Sequence, residues 1–277
     1  MKTEGKGKWN YGLEIIMILL GLLFLSPFYF LLANSVKSFG EILSNAAAWP
    51  SEFVWSNYSQ AWKLARFSEA FRNSIIITVI CVILIALFAA MAAYRMVRAD
   101  SKFNRILLLL FVAAMVVPFQ TIMIPILQVV NFLGVNNSIP GLVMAQLGLS
   151  IPMAIFLFHG FIKSVPMEIE EAATVDGCNP LTVFFRIVLP LLKPMLMTII
   201  VLNALGIWND YLLPSLILQA PELRTIPLAT FSFFGQYTKQ WDMALPALTL
   251  GVAPIVVFYL FMQRYIVEGI AAGSVKG

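Results

Sequence analysis

Residues Lys163 to Lys193 read KSVPMEIEEAATVDGCNPLTVFFRIVLPLLK, a polar passage set between long apolar runs. The pattern is that of two short helices meeting at an angle. Ser164 is placed to cap the first and Pro166 suits its opening turn, while Glu168, Glu170 and Glu171 put negative charge at its positive end. Ala172 and Ala173 keep one face thin, so that another surface can approach the backbone closely. Asp176-Gly177 ends the helix, because glycine accepts the left-handed conformation of a terminus. Asn179 and Pro180 open a second helix, on which Leu181, Phe184, Phe185 and Val188 recur at i, i+3, i+4 and i+7. Pro190 and Pro194 mark the turn back into apolar sequence. The surrounding chain is built for lipid; this hairpin is built to be touched from outside it.

Of the 277 residues, 60% are hydrophobic and only 12% charged, and the mean hydropathy is +0.88. Soluble domains carry about a quarter charged residues, so this is not the composition of a water-soluble fold. Charge-free runs extend over Ile15–Val36, Ser74–Tyr94, Ile106–Ile162, Pro194–Asn209 and Met243–Gln263. About 20 apolar residues of helix cross a bilayer. The run from Ile106 is long enough for two crossings, divided at Asn131 to Pro140 by turn-forming Gly, Asn, Ser and Pro. The expectation is an all-α integral membrane protein, one domain of six transmembrane helices. They fall at about 12–32, 74–93, 106–130, 139–162, 194–218 and 245–265, with the two-helix loop at 163–193. A β-barrel does not fit, since the runs are continuously apolar and do not alternate.

The basic residues flank the spans, where they set orientation, so the net charge of +4 is no sign of nucleic-acid binding. With the N-terminus inside, twelve Lys and Arg fall on the cytoplasmic side, Lys2, Lys6 and the group from Arg95 to Arg105 among them. Six fall outside, including Lys37 and Arg72. Both termini and the acidic loop are therefore expected in the cytoplasm. The first apolar run is longer than the core of a signal peptide and reads as a retained span. Cys81 lies in an apolar span and Cys178 in the polar loop, and no bridge between them is expected. Outside, Ser56–Asn73 carries Tyr58, Ala61, Trp62, Ala65 and Phe71 near helical spacing and reads as an interfacial connector. Pro118 and Pro125 are expected to bend the third span.

The spacing Glu171-Ala172-Ala173, three residues, Gly177, nine residues, Ile187-Val188-Leu189-Pro190 resembles the cytoplasmic signature loop of the membrane subunits of binding-protein-dependent ABC importers. The likeness runs over essentially the full length and is nearest to the carbohydrate-uptake branch with a maltose-type second permease. It includes Pro166 to Ala173, Asp176-Gly177, the cluster Trp208-Asn209-Asp210 and the tail Gly273 to Gly277. Ile169 stands where many relatives have Leu, which leaves the apolar character intact. The resemblance implies the type I importer permease architecture of six spans and a coupling loop. As partners it implies a second, related permease, two copies of a cytoplasmic ATPase subunit, an extracytoplasmic solute-binding protein and membrane lipid. It implies an ATPase-coupling role for Glu168, Glu170, Glu171, Ala172, Ala173, Asp176, Gly177, Ile187, Leu189 and Pro190. The chain itself has no phosphate-cradling G-x-x-x-x-G-K-[ST] sequence, so ATP and Mg are expected on a partner and no cofactor on this chain. The host is then a prokaryote and the location its cell membrane.

Polar residues inside spans tend to face a cavity or a neighbouring helix. Candidates for a translocation path are Gln120, Thr121, Gln128, Gln146, Asn203, Trp208, Asn209, Asp210 and Tyr211, and a sugar is the expected cargo. Asp210 offers either a hydrogen bond to a sugar hydroxyl or a brace at a helix end, and the nearby Pro214 favours the brace. His159, the only histidine, provides no metal cluster and is expected to hydrogen-bond within the bundle. Neither a nucleophile–base pair nor paired catalytic carboxylates occur, which speaks against an enzyme. A secondary active sugar transporter is the alternative. Ion coupling would then fall to Asp210 or His159.

Overall fold

In the computed structural model, which describes residues 8–235 and 239–274, each apolar run is carried by helix. Side chains are described for residues 11–235 and 239–263. Lys2 and Lys6 of the orientation signal, Tyr237 of the aromatic-rich stretch Phe231 to Trp241, and Val275 to Gly277 of the tail lie outside the described residues. Among the described residues the extended pairing is a single isolated bridge, Phe234 to Lys239.

The helices are α1 (Lys8–Ser35), α2 (Phe39–Ser44), α3 (Ser56–Leu64), α4 (Phe67–Arg98), α5 (Lys102–Val116), α6 (Phe119–Phe132) and α7 (Ile139–Ile162). They continue with α8 (Glu168–Val175), α9 (Pro180–Val183), a π turn (Phe184–Val188), α10 (Leu189–Leu191), α11 (Lys193–Asn209) and α12 (Leu212–Ile217). A 3-10 turn (Pro221–Leu223), α13 (Ile226–Phe231) and α14 (Trp241–Ser274) complete the chain. Among the described residues four helices are long and apolar enough to cross a membrane, and up to six crossings result if each of two bent helix pairs counts as one.

The chain divides into two compact units, Met1–Phe67 with Thr230–Val252, and Ser68–Ala229 with Ala253–Gly277. In the first unit the apolar side chains of α1 are open to their surroundings, with Leu22 60% and Phe24 75% exposed. For a membrane helix that is no defect, because lipid is as apolar as leucine. The loop after α1 is held by polar side chains on backbone. Lys37, fully buried, donates from Nζ to the carbonyls of Asn45 (3.1 Å), Ala46 (3.4 Å) and Ala48 (2.5 Å). Asn57 donates to the carbonyls of Ser35 and Lys37. Lys37, counted in the sequence as an orientation charge, is therefore also a brace.

In the second unit α4 supplies the stripe Cys81, Ile85, Ala89 and Ala93, one residue per turn and all fully buried. The small side chains of Cys81, Ala89 and Ala93 let neighbouring helices approach closely. They join one apolar core with Ile155, Phe158 and Ile162 of α7, and with Val188 and Leu192. A Cβ added to Gly141, near the start of α7, would overlap the Val135 carbonyl oxygen. Glycine is required there by close approach.

Several expectations change in detail. The predicted span 106–130 is two helices, α5 and α6, turned by 110°. Val117 is extended, at φ −73° and ψ 119°, because the ring of Pro118 clashes with a helical residue before it. The predicted span 194–218 is helical only to Asn209, and α12 resumes after Asp210 and Tyr211. The interfacial stretch Ser56–Asn73 is split at Arg66, whose φ is +48°, and from Phe67 onward it belongs to α4.

Candidate functional site

The acidic hairpin is built as two helices with different ends. Helix α8 closes with paired hydrogen bonds, Gly177 N–H to Thr174 and Cys178 N–H to Ala173, both at 3.0 Å. This is the Schellman pattern, and it needs the left-handed residue that Gly177 supplies at φ +85°. The Asn179 side chain accepts from Thr182 N–H at 2.8 Å, and Pro180 takes the first helical position of α9. Ser164 does not cap α8. Its hydroxyl donates to the Phe161 carbonyl at 2.7 Å, finishing α7, and α8 starts from Met167 without a side-chain cap. Glu168, Glu170 and Glu171 place negative charge in its first turn.

Those glutamates divide by direction. Glu168 and Glu171 are exposed, whereas Glu170 is buried at 7% exposure. Its carboxylate is clamped by the last turn of α4. The Tyr94 hydroxyl donates to Oε2 at 2.7 Å, and Arg98 Nε donates to Oε1 at 2.8 Å. Arg98 Nη2 reaches the same Oε1 at 2.7 Å and the Val165 carbonyl at 2.9 Å. Tyr94 also packs against Phe184, ring centroids 5.2 Å apart, so α4 grips both halves of the hairpin. A buried charge is tolerated only when paired and hydrogen-bonded, and each oxygen of Glu170 is. A recess of about 440 Å³ lies beside this clamp, bordered by Tyr94, Arg98, Met167, Glu171 and Val175.

The alanines divide likewise, Ala173 buried and Ala172 exposed, as is Asp176. In the second half the extra residue of the π turn shifts the register. Val183, Phe184 and Val188 are buried, but Leu181 (63%) and Phe185 (44%) stand exposed, contrary to the expected single apolar face. Ile187 and Leu189 are half-buried and Pro190 is exposed. Together with Val175, 88% exposed, Leu181 and Phe185 give the hairpin exposed apolar positions accompanied by Glu168, Glu171 and Asp176. The hairpin is pinned on one side and open on the other.

The path candidates are distributed over α6, α7, α11 and the break before α12. Gln120 and Gln128 are exposed on α6, and Gln146 is half-buried on α7, donating to Ser150 Oγ at 3.3 Å. Asn203 and Asn209 donate to carbonyls of their own helix, Ile199 and Leu205. Asp210 accepts from Leu213 N–H at 3.4 Å and so restarts the chain as α12. Thr121 turns back on the Pro118 carbonyl. Trp208 is buried against Phe71 and borders an apolar cavity of about 350 Å³ with Thr78 and Phe258, while Tyr211 is half-buried.

Tyr94 and Arg98 are the residues that sequence reasoning missed. Arg98 was read as an orientation charge only, although its i, i+4 spacing from Tyr94 puts both on one helix face. Asn73, Ser74 and Asn137 were also missed. Asn73 donates to the carbonyls of Glu222 and Arg224, Ser74 accepts from Ile226 N–H, and Asn137 accepts from Gln219 and Ala220 N–H. They hold the loop after α12.

The chain is 42% identical over 268 residues to the probable starch degradation products transport system permease protein AmyC of Thermoanaerobacterium thermosulfurigenes, covering 96% of this chain and 97% of that protein. It is 36% identical to the multiple sugar-binding transport system permease protein MsmG of Streptococcus mutans, each chain covered in full. The melibiose/raffinose/stachyose import permease protein MelC of Bacillus subtilis is 34% identical, with 91% of each chain covered. Among solved structures, a bacterial ABC transporter involved in the import of the acidic polysaccharide alginate matches with a TM-score of 0.77 at 20% identity, over 95% of this chain and 99% of that one. That likeness concerns the fold. The family described as binding-protein-dependent transport system inner membrane component matches residues 82–271, the segment that contains α7, the whole hairpin and the clamp from α4. On this match and these identities, the chain belongs to the inner membrane components of binding-protein-dependent transport systems, as a multi-pass permease subunit.

Proposed function

We propose that this permease passes a sugar, in the form of an oligosaccharide delivered by an extracytoplasmic solute-binding protein, and that its acidic hairpin docks on a separate ATPase. Relatives named for starch degradation products and for melibiose, raffinose and stachyose support the cargo class. A second, related permease completes the pathway, and two ATPase subunits carry ATP and Mg. The hairpin and both termini lie on the cytoplasmic side in this reading. The carrying observation is the hairpin's division into a clamped side, Glu170 on Tyr94 and Arg98, and an open apolar one, Val175 and Leu181. An element pinned at one side and gripped at the other passes movement into α4 and the core around it.

Introducing Val175→Glu with Leu181→Glu into the assembled importer tests this. Binding-protein-stimulated ATP hydrolysis and oligosaccharide uptake by proteoliposomes are expected to fall at least about tenfold, as when interface anchors are lost. The permease should remain in the membrane at normal level. Unchanged uptake contradicts the docking role.

A further inference from the structure

A second polar recess, of about 680 Å³, lies where the α4–α5 turn meets the end of α7. Its charged lining is Arg98, Asp100, Arg105 and Lys163, with His159 beside them and Leu108 and Leu109 as an apolar wall. Arg98 is neutralised by Glu170. Arg105 is engaged with Asp100, Nε to Oδ1 at 2.8 Å and Nη2 to Oδ2 at 2.5 Å. That bond, aided by the Lys163 charge, holds the Asp100 carboxyl below the usual carboxylate range. The Lys163 ammonium makes no hydrogen bond or ion pair among the described residues, and neither does the His159 ring. One positive charge and one imidazole are left over in the recess.

The apolar wall continues onto exposed α5 side chains, Ile106 (57%), Leu109 (67%) and Leu110 (62%). On a membrane helix such a surface faces acyl chains. A soluble anion would satisfy Lys163 and leave the leucines uncovered, whereas a lipid fits both parts. Basic pockets between membrane helices take anionic headgroups. We infer that this recess seats the headgroup of an anionic phospholipid, its phosphodiester on Lys163 and Arg105 and its first acyl carbons on Leu108 and Leu109. One uncompensated ammonium matches the single negative charge of a phosphodiester. Because Arg98 borders the same recess, the seat adjoins the clamp on the hairpin. The inference is independent of the cargo and of the ATPase.

The test is native mass spectrometry of the full chain, with whatever subunits co-purify, in mild detergent with phosphatidylglycerol or phosphatidylcholine of matched chains. Phosphatidylglycerol should be retained about tenfold more, the ratio that one or two cations near a membrane surface give. Lys163→Gln should remove most of that preference and Lys163→Arg should keep it, at unchanged subunit composition. Arg105→Gln, at an exposed ion pair, should weaken it with the fold intact. Equal retention of the two lipids, or a preference unaffected by Lys163→Gln, overturns the proposal. Displacement of the lipid by equimolar inorganic phosphate overturns it as well, since the site then takes a soluble anion.

Discussion

At Glu170 a motif residue does a task different from its neighbours. Glu168 and Glu171 are open, while Glu170 holds the hairpin to α4 through Tyr94 and Arg98. Glu170→Gln leaves the half-buried Arg98, its side chain 15% exposed, without its counter-charge and is expected to cost about 3 kcal/mol at most, the low end for a broken buried pair. Arg98→Met with Glu170→Gln should cost clearly less than the two single changes added, since no lone charge is then left unpaired. Thermal unfolding of the four proteins in detergent measures this, and additive losses would show that the pair is not coupled. Gly177 poses a purely conformational question, because a Cβ there meets nothing within 4 Å yet φ is +85°. Gly177→Ala should therefore cost about 1–2 kcal/mol and Gly177→Asn less. Equal costs would place the requirement elsewhere.

Among the elements, α7 occupies the predicted residues Ile139 to Ile162, because an uninterrupted apolar run with Ser138 capping its start leaves no choice. The hairpin's glycine end and its Asn179 start were legible for the same reason, since both depend on local chemistry. What could not be read was the π turn at Phe184 to Val188. A one-residue change of register is set by which side chains find room in the core, and within it Phe185 stands on the open side while Phe184 and Val188 are buried. Nor could a proline signal distinguish a gentle bend from the 110° turn between α5 and α6. At the break before α12, Asp210 acts as an acceptor for Leu213 N–H. Asp210→Asn keeps that acceptor, so uptake by the reconstituted importer should stay within about twofold of the original, and Asp210→Ala should lose about 1 kcal/mol of stability. Loss of uptake in Asp210→Asn would favour ion coupling through this carboxylate.

For the molecule as a whole, composition and run lengths revealed a membrane protein of repeated helical crossings, and the hairpin's spacing revealed its family. The clamp escaped notice because Arg98 and Glu170 are 72 positions apart, and no period in a single sequence reports such a pairing. Of the path candidates, Gln146, Asn203 and Asn209 bond within their own helices, a use of polar groups that a single sequence does not distinguish from lining a path. The claim on which the account depends is that the open side of the hairpin is held by an ATP-hydrolysing partner. A photo-crosslinking residue at Val175, 88% exposed on the hairpin, reports that contact directly, with one at Leu25 of α1, 60% exposed, as the control. In the purified, hydrolytically active importer, the account predicts a covalent product with the ATPase from position 175 and none from position 25. An active complex in which position 175 captures only lipid or detergent would contradict it.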